Sequence, residues 1–224
     1  MTALSRMSMI HLNRLRLDEG LGLAQRALGI ARATEADELR GTALDCLKLA
    51  ALQLGDLALL ETTAAEIVEV QQRAGDFYLL QWAHIEGASV PLARGDLARA
   101  REQIDRAREI NQRFASDRIA RALILEASSW IDRAAGDPGA AVAAVRKAIV
   151  TVEVQAAPEW LAWLEASLGS HLIETGDLSA AIAVLESALG HSEVIKSPNR
   201  AFRASSHLAW ARQLAGDGPG AAEA

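Results

Sequence analysis

The sequence predicts an all-α fold of stacked helical hairpins, and three observations predict it. Alanine and leucine are the commonest residues and strong helix formers, while aromatics make up only 4% of the 224 residues and offer little material for strands. A Gly-Asp dipeptide recurs at Gly55-Asp56, Gly95-Asp96, Gly136-Asp137, Gly176-Asp177 and Gly216-Asp217, at spacings of 40, 41, 40 and 40. Between these copies lie two apolar-periodic stretches, such as Asp117 to Ala135 and Pro138 to Val154, each the length of a four-to-five-turn helix. Glycine supplies the left-handed residue that ends one helix, and aspartate caps the start of the next. Half of the chain is hydrophobic, which excludes a disordered polypeptide.

The elements follow in order. The first hairpin covers 1–36, with Met1 to Arg14 as its first helix, Leu15 where later copies carry glycine, and Gly20, Ala24 and Ala27 on its second helix. The second, 37–75, turns at Gly55-Asp56 and closes at an out-of-series Gly75-Asp76, which ends a helix at Arg73 and starts the next at Phe77. In the third, 76–115, Pro91 interrupts a helical pattern, and a kink is expected because proline removes a backbone donor. The fourth covers 116–156. The fifth, 157–196, opens near Pro158, and the sixth, 197–224, opens on Ser197-Pro198, a capping hydroxyl before a proline at the first helical position. This sixth copy stops just after its turn, without the polar cap that shields the last apolar face of a stacked array. The expectation is a segment of a larger protein, with self-association through the uncapped ends.

Counting from each turn glycine exposes columns. Five positions on stand Leu60, Ala100, Ala141, Ala181 and Ala221; nine on, Ala64, Ile104, Val145 and Leu185; twelve on, Ile67, Ala107, Ala148 and Ala188. These positions share one helical face. Seven before the glycine stand Lys48, Ala88, Ser129, Gly169 and Ala209, small in four of five, as close helix packing requires.

With a small residue seven before Gly-Asp and alanine five and twelve after it, the chain resembles tetratricopeptide repeats, most plainly in LARGDLARAREQIDRA, Leu92 to Ala107. The period is longer than in the standard repeat, and the aromatic columns of that family are replaced, for instance by His84 and Glu165. The forty-residue variant is similar to the superhelical arm of large bacterial regulators of the LuxR type, maltose-activator-like, and of signalling ATPases. The resemblance implies a right-handed α-α superhelix, a tetratricopeptide-like solenoid of hairpins with first helices inside and charged second helices outside.

Chemistry is scarce. A formal charge of −6 disfavours nucleic acid as a partner, and no uncharged run exceeds the nine residues Phe77 to Ile85, too few to span a membrane. With no signal-peptide pattern and one cysteine, the cytoplasm is the expected compartment. No phosphate-binding loop occurs, five dispersed histidines and Cys46 do not form a metal motif, and no catalytic constellation can be read. The expectation is a non-enzyme without cofactor or metal. Arg106 and Arg113 pair at helical spacing with Glu102 and Glu109, which reads as a solvated outer face.

The sharpest signal is tryptophan placement. The resemblance implies that positions thirteen, ten, six and three before the glycine face a concave peptide-binding groove. Trp82, Trp130, Trp163 and Trp210 fall on these columns, as do Ile85, Glu126, Arg133 and Arg203, with Glu174 as a further polar contact. Such a groove suits an apolar or amphipathic peptide. The alternative is that the same indoles are ordinary core between neighbouring hairpins. The function read from this is a protein- or peptide-interaction module, the regulatory arm of a larger bacterial transcriptional or signalling protein. The second reading is a receptor for a small effector or a peptide pheromone.

Overall fold

The computed structural model describes residues 2–34, 36–115, 117–153 and 157–224, and helices connected by short turns account for them. Met1 and Val154, the expected ends of two helices, lie outside the described residues. The chain divides into two compact units, Met1–Asp117 and Arg118–Ala224.

In the first unit, α1 (Thr2–Asn13), α2 (Leu17–Ala33), α3 (Asp37–Leu54), α4 (Leu57–Ala74) and α5 (Phe77–Gly87) follow one another, each packed on the next. A short α6 (Ser89–Ala93) leads to α7 (Leu97–Ile110), which packs on α5 and runs into a π-helical turn, Asn111–Ala115. The helix is interrupted at Ala88, between α5 and α6, three residues before Pro91. There the nitrogen of Pro91 cannot donate to the preceding turn. Arg113 belongs to the π-turn rather than to α7, and its salt bridge to Glu109 at 3.1 Å spans the change of pitch. Asn111 stabilises this turn by donating to the Gln81 side chain at 3.0 Å and to the Asp117 carbonyl at 2.9 Å.

The second unit contains α8 (Arg118–Ala134), α9 (Pro138–Glu153), α10 (Pro158–Thr175), α11 (Leu178–Val194), α12 (Pro198–Leu214) and the short α13 (Gly218–Glu223). Consecutive helices pack as hairpins, and α10 also touches both α8 and α12, so the first helices of three hairpins form one face.

The turns are built as the dipeptide predicts. Every Gly of a Gly-Asp pair has positive φ, from 70° at Gly55 to 87° at Gly136. Each following aspartate accepts from a backbone N–H three residues on, as Asp137 does from Ala140 at 2.8 Å. Leu15, in the glycine register of the first hairpin, adopts φ 59° despite its side chain. Ser197 caps α12. The columns five, nine and twelve after the glycine are buried from Leu60 to Ala188, which places the core between first and second helices. Gly169 is a close approach between two helices: a Cβ there would stand 2.4 Å from Cγ of Leu185. Glu165, in one of the replaced aromatic positions, instead accepts from Ser187 at 2.9 Å and meets His191 at 2.8 Å, tying α10 to α11 through polar contacts.

Candidate functional site

Three successive first helices of the second unit bring most of the expected groove residues together. Trp130 and Arg133 come from α8, Trp163 and Glu174 from α10, and Arg203 from α12. The Arg203 guanidinium lies 3.8 Å from the centroid of Trp163 and 5.8 Å from that of Trp130. Arg133 stands 5.0 Å over Trp130, and Arg200 stands 4.5 Å over Trp163 and 5.5 Å over Trp160. Each of these contacts is within cation–π range. Faces of these indoles are therefore already occupied by arginines of the same chain.

A buried carboxylate organises the cluster. Oε1 of Glu126 accepts from Nε1 of Trp130 at 2.7 Å and from the Ser167 hydroxyl at 2.7 Å, and Arg203 approaches it at 3.6 Å. Arg203 also donates to Ser167 Oγ at 2.8 Å. Glu174 accepts from Nε of Arg133 at 2.7 Å and pairs with its Nη2, a two-point contact across α8 and α10. Burial lowers the pKa of the Arg203 guanidinium, while Glu126 opposes that shift.

Beneath the indoles lies His171, fully buried and edge-on to Trp130 at 4.6 Å. Its Nε2 is 2.9 Å from Ser129 Oγ. The Ser129 hydroxyl donates its one proton to the Glu126 carbonyl at 2.6 Å, so its oxygen accepts from His171 and fixes the Nε2–H tautomer. Ser129 is no nucleophile: it is buried and its proton is committed. Burial first, then the charges of Arg133 and Arg203, push His171 down to about 4; burial, Arg203 and Arg133 do the same to His207. Because both imidazoles stay neutral in the folded protein but protonate near the usual 6.5 when unfolded, their contribution to stability is complete above pH 6.5 and is lost as the pH falls toward 4. Urea titrations across this range are expected to show a falling unfolding free energy. The double variant His171→Gln/His207→Gln is expected to flatten that slope, and an unchanged slope would count against the assignment.

The remaining expected residues lie elsewhere. Trp210 is two turns beyond Arg203 on α12 and 44% exposed, outside these cation–π contacts. Trp82 is in the first unit, half-buried, with its ring against Tyr78 at 6.2 Å. Ile85 is a core residue and not a groove residue, since it is buried on a helix packed against both α4 and α7. The sequence reading missed Trp160, Ser167, His171, Arg200 and His207. A signal for two of them was present, because Trp163, Ser167 and His171 follow one another at four-residue steps on one helix face. Cys46 is buried, and its thiol is pushed up to about 12 by burial and by Asp45, which makes it inert at neutral pH. Among the described residues no group of three or more metal-ligating side chains occurs, and no helix is long and apolar enough to cross a membrane.

Solved structures share this arrangement of hairpins. A signal transduction ATPase with numerous domains from Pyrococcus horikoshii, which carries a tetratricopeptide repeat sensor, superposes with a TM-score of 0.62 at 15% identity over 93% of this chain. The fold is tetratricopeptide-like. The chain spans only 32% of that ATPase. BtubC (BKLC) from P. vanneervenii matches with a TM-score of 0.64 at 19% identity, over 92% of this chain and 87% of its own. The kinesin light chain TPR-like repeats of Podosopora anserina match with a TM-score of 0.56 at 15% identity, over 88% of this chain and 97% of theirs. No family model matches the sequence, and no curated protein matches it.

Proposed function

We propose that the chain is a non-catalytic module for binding a protein or peptide, and that it serves as the regulatory repeat arm of a larger bacterial transcriptional or signalling protein. The observation that carries this reading is the arginine–indole cluster of Arg133, Arg203, Trp130 and Trp163, assembled from three successive first helices. Tryptophan and arginine are the residue types that dominate binding energy at protein interfaces. The likeness to a repeat sensor within a signalling ATPase supports the regulatory part of the proposal.

The test is recovery of partners from a lysate of the source organism by the immobilised chain. Trp163→Ala/Arg203→Ala is expected to lower recovery of any specific partner at least about ten-fold, the loss typical of a hot-spot pair. Circular dichroism must show the same helicity for both proteins. Equal recovery by the two would place the interaction surface elsewhere.

A further inference from the structure

In both units, neighbouring first helices meet with the same stagger, counted from the turn glycine or, in the first hairpin, from Leu15. Ser5, ten residues before that position on α1, accepts through its carbonyl from the thiol of Cys46, nine before it on α3, at 3.4 Å. Glu126, ten before on α8, accepts from the hydroxyl of Ser167, nine before on α10, at 2.7 Å. Trp130, six before, lies edge-on to His171, five before, at 4.6 Å. A first helix thus offers one stripe to the first helix behind it and another to the one ahead, the nearest-neighbour logic of a stacked array.

The stripe that faces backward, at twelve, eight and five before the turn, is Leu164, Leu168 and His171 on α10 and Ala204, Leu208 and Ala211 on α12, all buried. On α1 it is Ala3, Met7 and Ile10, all exposed, Met7 to 47% and Ile10 to 50%. The stripe that faces forward, at fourteen, ten and six before the turn, is Ala162, Ala166 and Ser170 on α10, all buried. On α12 it is Phe202, Ser206 and Trp210, all exposed although α13 packs on that helix, Phe202 to 64%. Neither exposed stripe includes a charged residue. Scattered apolar residues on a surface are ordinary, but a row of them marks a contact.

The two exposed stripes also match in size. The shared stagger sets Trp210 against Ile10 and Phe202 against Thr2. Within the units, a small residue fourteen before the turn corresponds to a larger one thirteen before it on the next first helix: Gly41 and Trp82, Ala122 and Trp163, Ala162 and Arg203. Phe202 and Thr2 reverse the sizes and so conserve the volume at the contact, the exchange that packing tolerates best.

We propose that α12 of one copy of this chain binds α1 of a second copy, head to tail, with Phe202 and Trp210 against Thr2 and Ile10. The contact continues the interface between α8 and α10 from one molecule to the next, and it does not involve the arginine–indole cluster. Because the two surfaces differ, a pair of chains still exposes one of each, and association continues beyond two.

Sedimentation velocity of the full chain from about 10 μM to about 1 mM, the range suited to a contact smaller than a standard interface, is expected to show a mean mass that rises steadily with concentration. Ile10→Glu and Phe202→Glu, both at exposed positions and checked for unchanged helicity, are each expected to weaken self-association at least about ten-fold. Mixed together, the two variants are expected to form a complex that stops at two chains, because Ile10→Glu keeps the α12 stripe intact and Phe202→Glu keeps the α1 stripe. A wild-type chain that stays monomeric throughout overturns the proposal, as does self-association that neither variant weakens. Loss with Phe202→Glu but not with Ile10→Glu overturns it too, since α12 would then meet α12, and so does a mixture that remains monomeric. None of these outcomes bears on partner recovery by Trp163→Ala/Arg203→Ala, which tests the interaction reading separately.

Discussion

Lys48→Ala is expected to lower the unfolding free energy by about 3 kcal/mol, the loss typical of removing one partner from a buried ion pair. Lys48 occupies the position seven before the turn glycine, where the other hairpins carry Ala88, Ser129, Gly169 and Ala209. Only 1% of its side chain is exposed. Its Nζ meets Asp45 at 2.7 Å on the same helix and Glu86 at 2.5 Å on α5. Burial works against the ammonium charge, but the two carboxylates outweigh it and hold Lys48 above its usual range. Alanine leaves both carboxylates facing each other without a cation and leaves a void the length of the lost stem. The triple variant Asp45→Asn/Lys48→Met/Glu86→Gln, which removes charge and keeps volume, is expected to regain most of the loss. Urea unfolding measures both; a loss below about 1 kcal/mol for Lys48→Ala would show that the triad contributes no more than a surface pair.

Lys48 also marks where the sequence stops being legible. The small-residue column was readable because it repeats, and lysine stood out as its exception. Its partner Glu86 is 38 residues away on another helix, and no local pattern connects them. The hairpin turns were readable for the opposite reason. Glycine with positive φ followed by a capping aspartate is local chemistry, and register placed Leu15 in the glycine position, although not its φ of 59°. The binding site falls between these cases. The columns that the resemblance turns toward a groove singled out Trp130, Trp163 and Arg203 together. The occupation of the indoles by the chain's own guanidiniums depends on side-chain reach across three helices and could not be counted from spacing. The indoles of the cluster are half-buried, with arginine where a ligand or a core aliphatic was expected.

The second large effect concerns Gly169 of α10 and Leu185 of α11, which meet with no room for a Cβ. A Cβ at 169 would sit 2.4, 2.6 and 2.9 Å from the Cγ, Cδ2 and Cδ1 of Leu185, all shorter than real Cβ contacts. Leu185 is itself fully buried, in the column nine after the turn glycine. Leu185→Ala alone is expected to cost about 3 kcal/mol through lost burial and the cavity it leaves. Gly169→Ala is expected to cost about 1–2 kcal/mol, because overpacking outweighs the gain in helix propensity of about 1 kcal/mol. Since each substitution makes room for, or fills, what the other changes, the double variant is expected to lose at least about 1 kcal/mol less than the sum of the singles. Denaturant unfolding of the four proteins closes the cycle. Strict additivity would mean that the two helices do not approach at Gly169 as closely as described. The small-residue column would then reflect helix propensity or composition rather than contact between first and second helices.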